Sequence, residues 1–322
     1  MTLALHLHDV LDDPDAVREA VRVQGGHWDQ ARYVPVAAAA AARPGHPLVG
    51  PDGAPPLFRS DWYAWGSPSG LGEHLADHQV LHHAARRLHD GAITMPVEIH
   101  VNLNLPGPVY DTGHLDVPVL RGRDRRNTPG WVLLALARSG LADRWWVRTA
   151  TAVLWLHRGR GGAFTWWPDG VDGPAATVSD LWNRAIVLDA DRLMHRVGRV
   201  GAGAGPATRL ARDARVEPGD GTTWRLHPGD GEPPVDLDDA LVRVSISWKA
   251  LVFDDAAERD AYARGDDALD LATATDLLRA TVRRRGGSLG DDVALDTPEF
   301  AAAVERWLPR PVPLTVPVED RP

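Results

Sequence analysis

Between Pro96 and Pro106 every second residue is apolar, with Val97, Ile99, Val101 and Leu103 alternating with Glu98, His100, Asn102 and Asn104. A period of two sends these sets to opposite faces of an extended chain, so the run predicts a β-strand with one polar face. The same alternation governs residues 241–253, where Arg243, Ser245, Ser247 and Lys249 share one face and Val242, Val244, Ile246 and Trp248 the other. Shorter runs at 148–157, 162–168, 184–190 and 193–200 predict further strands, and DTGHLDVPVLRG at 111–122 reads as one more.

Helical signals lie mainly outside this block. Asp13 as N-cap and Pro14 in the first turn predict a helix over about 15–23, and LGEHLADHQVLHHAARRLHDG predicts a long one closed by Gly91. PGWVLLALARSG predicts a short helix opened by Pro129 and closed by Gly140, and two more helical patterns lie between about Asp267 and Leu308. Many short strands broken by Gly, Pro and Asp predict a mainly β protein of sandwich or jelly-roll type with α decoration. The expected division is 1–94 as an N-terminal helical and loop region, 95–253 as the core, and 254–322 as a C-terminal helical extension. Gly, Pro and Asp crowd 201–240, which reads as an insertion and a mobile lid. The alanine run Ala37–Ala42 and the passage to about Gly72 carry no clear pattern.

Composition narrows the chemistry. The chain has 322 residues, 44% apolar, enough for a sizeable core. It has no cysteine, which excludes disulfides and thiolate-bound zinc and leaves His, Asp, Glu and water to hold any metal. A net charge of −9 without a clustered basic face argues against nucleic acid as the main partner. No basic leader precedes an apolar run and no membrane-length apolar stretch occurs, so a cytoplasmic protein without membrane contact is expected. Lys249 is the only lysine.

Of 14 histidines, His114 stands out because Asp116 lies two positions on, which in a strand puts imidazole and carboxylate on one side. His195, on a later predicted strand, is the best third ligand. Two imidazoles and one carboxylate leave half of an octahedral ion open, a set suited to non-haem Fe(II) and O₂. The bland readings are a hydrogen-bonded His114–Asp116 pair, a core His195 and a solvent-facing strand at 241–249. His74, His78 and His82 repeat at helical spacing but read as a solvated face, and the 13 tryptophans, Trp145–Trp146 and Trp166–Trp167 among them, as mostly core.

The H-x-D…H order across many short strands resembles the Fe(II)/2-oxoglutarate-dependent oxygenase superfamily over roughly residues 95–253, as do Tyr110, Gly113, the Gly161–Gly162 pair and the HRVGRV run around His195. The resemblance implies a double-stranded β-helix (cupin-like jelly-roll) core, with His114, Asp116 and His195 as catalytic iron ligands. It also implies a cation for the distal carboxylate of 2-oxoglutarate. Arg243 with Ser245 matches the R-x-S pattern of one branch, although some forty residues separate it from His195 where the family has a single strand-turn-strand. Arg199, Arg209 and Arg212 are the alternatives, and His100, Asn102 and Asn104 are candidate contacts to substrate or ligands. The implied reaction uses Fe(II), 2-oxoglutarate and O₂ to hydroxylate or desaturate a small-molecule or peptide-type substrate, yielding succinate. Asp116 favours this over halogenation, because halogenases of the family carry a small residue there. Two other readings remain open: a cupin-like metalloenzyme that does not use 2-oxoglutarate, and a non-catalytic jelly-roll binding protein. Substrate and oligomeric state are not legible.

Overall fold

The computed structural model describes residues 4–33, 56–107, 111–201 and 210–308. Its strands, in chain order, are β1 (Ala4–His8), β2 (His27–Asp29), β3 (Leu57–Ala64), β4 (Ser67–Pro68), β5 (Ile93–Asn104), β6 (Thr149–Leu156), β7 (Phe164–Trp166), β8 (Ala176–Val178), β9 (Trp182–Leu188), β10 (His195–Val197), β11 (Arg215–Pro218), β12 (Trp224–His227), β13 (Val235–Leu237) and β14 (Arg243–Phe253). The main antiparallel sheet runs β1-β9-β6-β14-β5-β3-β2-β11-β12-β13, with β4 on β3, and a smaller sheet runs β10-β7-β8.

The two alternating strands expected from the sequence pair with each other at the centre of the large sheet, Arg243 opposite Asn104 and Ser247 opposite His100. Their apolar faces, Ile99, Val101 and Leu103 with Val244, Ile246 and Trp248, join the largest core beneath the helices Gly72–Ala76 and Gln79–His89. On the opposite face, Val153, Trp155, Ile186 and Leu188 of the large sheet interdigitate with Phe164 and Trp166 of the small one. Two antiparallel sheets closed over a shared core, with helices before and after, make this a double-stranded β-helix or jelly-roll core. A separate helical core joins Gly130–Ser139, Leu271–Arg284 and Pro298–Trp307.

Several local expectations are corrected. The first ninety-odd residues contribute strands as well as helices: β1 pairs with β9, and β3 lies between β2 and β5. In β3 the inward set is Phe58, Ser60 and Trp62, and the hydroxyl in its middle hides the period. The helix expected to end at Gly91 is two helices broken at Asp77–His78, the second stopping at left-handed Asp90. The His74–His78–His82 stripe is thereby interrupted, and His82 is not a solvated group, since it bonds Thr94 Oγ1 at 2.5 Å and the Ala76 carbonyl at 2.7 Å. Residues 210–240 are not a lid: β11–β13 extend the large sheet past β2, with Val216, Trp224 and Leu226 buried in the main core. A third helix, Ala256–Arg264, precedes the two expected near the C-terminus. Tyr110, Arg209 and Ala37–Ala42 lie outside the described residues.

Candidate metal centre

His195 opens β10 at the edge of the small sheet, and the chain carrying His114 docks against that edge. The two histidines exchange backbone hydrogen bonds, His114 N–H to the His195 carbonyl at 2.8 Å and the reverse at 3.1 Å. The expected strand at 111–122 is absent as regular structure; around the ligands it keeps the His114–His195 bridge and a bond from Asp116 N–H to the Ala190 carbonyl at 2.9 Å, with further isolated bridges at Leu120. These two points suffice to keep the chain extended, so His114 and Asp116 face one side as the i, i+2 spacing demands.

His114, Asp116 and His195 each offer a ligand atom, all within 4.8 Å of one another. Each imidazole is oriented through its other nitrogen. His114 Nδ1 lies 3.0 Å from Asp111 Oδ2 and His195 Nδ1 lies 2.9 Å from the Leu193 carbonyl, which leaves both Nε2 atoms for a metal. His195 Nε2 is 3.8 Å from Asp116 Oδ1. Phe164 stacks on the His195 ring at 5.5 Å, so His195 is buried while His114 and Asp116 remain part-open toward solvent.

Burial works against charge on His114, but Asp111 and then Asp116 overcome it and raise its pKa to about 9. Burial lowers His195 to about 4, with His114 adding to the effect. Burial raises Asp116, yet Lys249 and the two histidines outweigh it and hold the carboxylate ionised. Two imidazole nitrogens with anchored rings and one anionic oxygen fit a divalent first-row ion such as Fe(II), with the remaining positions free. The three residues together could hold a metal ion. Fold and triad together agree with what the resemblance of the sequence to the Fe(II)/2-oxoglutarate-dependent oxygenases implies.

No protein-family profile and no curated protein matches the chain. Solved structures similar to it include a prolyl-4-hydroxylase from Pseudomonas putida, 15% identical with a TM-score of 0.38, covering 78% of this chain and 92% of that one. An oxidoreductase of the 2OG-Fe(II) oxygenase family from Burkholderia pseudomallei is 12% identical with a TM-score of 0.41, covering 79% of this chain and 88% of that one. The α-ketoglutarate-dependent carbocyclase SnoK from nogalamycin biosynthesis is 12% identical with a TM-score of 0.41, covering 83% and 89%. No helix among the described residues is long and apolar enough to cross a membrane.

The same resemblance also implies a cation for the co-substrate's distal carboxylate. Arg243, at the start of β14, is 0% exposed. Its Nε donates to the Gly162 carbonyl at 2.7 Å, and its Nη1 donates to Asn104 Oδ1 at 3.1 Å and Ser245 Oγ at 3.2 Å. Nη2 is buried without a partner, and no ion pair to Arg243 occurs among the described residues. Gly162 is left-handed at φ 69°, and a Cβ there would stand 2.4 Å from Arg243 Cδ, so only glycine leaves this arginine its place. Arg199 and Arg212 each have a partner. The sequence singled out His114, Asp116, His195, Arg243, Ser245 and Asn104, but it missed Asp111, which three residues before His114 carries the D-x-x-H spacing of a turn. Lys249 was placed on the polar face of its strand without a role, and its contacts with Asp116 and Asp191 depend on folding.

Proposed function

We propose that the protein is an Fe(II)- and 2-oxoglutarate-dependent oxygenase that hydroxylates or desaturates a small-molecule or peptide-type substrate. The observation that carries this reading beyond a metal site is Arg243. A guanidinium withdrawn from water normally faces a carboxylate, as Arg18 faces Asp239 at 2.6 Å. Arg243 instead has neutral acceptors on two nitrogens and an unsatisfied third. A carboxylate from outside the chain would complete it, with the Ser245 hydroxyl beside the fork. Arg243 also shares a face of β14 with Lys249, farther along the strand, and Lys249 reaches Asp116. One strand face therefore links the anion pocket to the metal centre.

In this reading His114, Asp116 and His195 hold Fe(II), which with 2-oxoglutarate and O₂ supplies an oxidising power that no side chain has. The chain's own part is to fix the ligand geometry, hold the co-substrate's distal carboxylate at Arg243 and Ser245, and keep Phe164 and the small sheet packed behind His195 to exclude water there. A cupin-like enzyme that does without 2-oxoglutarate would be favoured by an Arg243 facing solvent, and Arg243 is buried. The deciding experiment is succinate formation from 2-oxoglutarate. It is expected to require added Fe(II) and to vanish in His195→Ala. Fe(II) binding without succinate formation or 2-oxoglutarate binding would favour the cupin-like reading.

A further inference from the structure

We propose that Lys249 is the positioning residue that keeps Asp116 a one-oxygen metal ligand, so that three adjacent coordination positions stay open. The role rests on the triad being a metal site and concerns a group that sequence comparison leaves unassigned.

The two oxygens of Asp116 face different surroundings. Oδ1 looks toward His195 Nε2 at 3.8 Å, on the side where the ligand atoms converge. Oδ2 looks away, 3.7 Å from Lys249 Nζ and 3.4 Å from the Thr151 hydroxyl, which donates to it. Lys249 is itself held, donating to Asp191 Oδ1 at 2.8 Å and to the Val117 carbonyl at 3.0 Å. Two of the ammonium's three protons are taken by these acceptors, and its charge faces Asp116 Oδ2 as an ion pair at 3.7 Å. The Val117 bond fixes the chain immediately after Asp116, and the Asp116 contact fixes the far oxygen, so one cation sets both the position and the rotation of the ligand.

The chain goes to some length to place this group. Lys249 is the sole lysine, it is buried, and it sits where the β14–β5 register shifts between Lys249 and Ala250. The extra residue of that shift is Val97 on β5, while β14 keeps its register with β6 through Lys249, opposite Thr151. Asp191, whose side chain is 0% exposed, balances the charge. A buried ion pair of this kind is weak as a source of stability but well suited to fixing one geometry. The geometry matters because a carboxylate that turned both oxygens to an octahedral ion would take a position from the other ligands. Chelation by a 2-oxo acid needs two positions and O₂ one, so a two-oxygen Asp116 leaves one too few.

The test loads the full-length protein with Mn(II) and counts exchangeable metal-bound waters by water-proton relaxation, alongside 2-oxoglutarate titration. The unmodified chain is expected to show three waters, the octahedral six less three protein ligands. Lys249→Met combined with Asp191→Asn removes the pair without orphaning either charge. It should lower the water count to two, reduce relaxivity by about a third and weaken 2-oxoglutarate ~10-fold, with Mn(II) still bound. Thr151→Val, nearly isosteric, should move both readouts less in the same direction. Unchanged relaxivity in the double variant overturns the role. So does a count of two in the unmodified protein, which requires no variant to fold. Absence of Mn(II) binding to the unmodified protein would overturn the metal reading of the triad itself, and this role with it.

Discussion

A hydrogen bond to a charged group contributes about 1.5–3 kcal/mol, and a guanidinium fork makes two in parallel. Arg243→Lys keeps the charge but loses the fork, so 2-oxoglutarate affinity should fall ~10-fold, a loss of about 1.4 kcal/mol. Arg243→Met should weaken it ~100-fold and Ser245→Ala less than either, with Fe(II) affinity unchanged, as read by anaerobic titration of the Fe(II)-loaded protein. An unaltered curve for Arg243→Met would move the anchor elsewhere. Residue chemistry also sets a pH limit. His27 is fully buried, bonded to the Val21 carbonyl at 2.9 Å and to Ser60 Oγ at 3.0 Å. Burial draws its pKa down to about 4, the Val21 carbonyl opposing. The unfolded chain therefore takes up the proton first, at about pH 6.5, so this contribution is complete above that pH and is lost as pH falls toward 4. By pH 5 the loss is ~2 kcal/mol, and urea midpoints at pH 7 and 5 should converge in His27→Gln. His157, drawn down to about 4 chiefly by burial, keeps part of the slope.

At the scale of elements, β11–β13 show what period and composition convey and what they hide. Their Gly, Pro and Asp content belongs to the turns, while Val216, Trp224 and Leu226 sit in the core. Trp224 Nε1 donates to Asp239 Oδ1 at 2.8 Å, and Asp239 also pairs with Arg18. Trp224→Ala should cost about 3–5 kcal/mol, as large-to-small core changes do, and should open 210–240 to a protease that leaves the parent intact. Cleavage of the folded parent there at equal rate would return the segment to a lid. Strands β5 and β14 were legible because eight or more residues alternate without a break. The two ligands of the H-x-D pair were legible as an i, i+2 pair even though no ladder forms around them, since extension alone puts them on one side. Strands of three to five residues, such as β1 and β2, offer too few positions for a period. What lies across space was not legible: the Asp111–His114 contact, the Lys249–Asp191 pair and the unpaired Nη2 of Arg243 exist only once distant strands meet.

For the molecule as a whole, the metal site is a cross-link between parts that few bonds join. His114 and Asp116 ride on a segment with no ladder of its own, held by the exchange with His195, the Asp116–Ala190 bond and Lys249 on the Val117 carbonyl. His195 belongs to the small sheet. An ion bound to all three residues exists only in the folded state, so it stabilises the fold by mass action, about 2.7 kcal/mol at one hundred times its dissociation constant. Urea unfolding of the full chain should therefore shift to higher denaturant when Mn(II) is added and return when a chelator removes it. His195→Ala should unfold near the metal-free midpoint of the parent and gain nothing from Mn(II), because the loss is of a ligand and not of the core behind it. The same titration with His114→Ala should give the same flat response, although its ring is part-open and packs less. A Mn(II)-induced shift in either variant as large as the parent's would place the bound ion outside the triad, and the iron, the anion pocket of Arg243 and the clamp of Lys249 would then no longer describe one site.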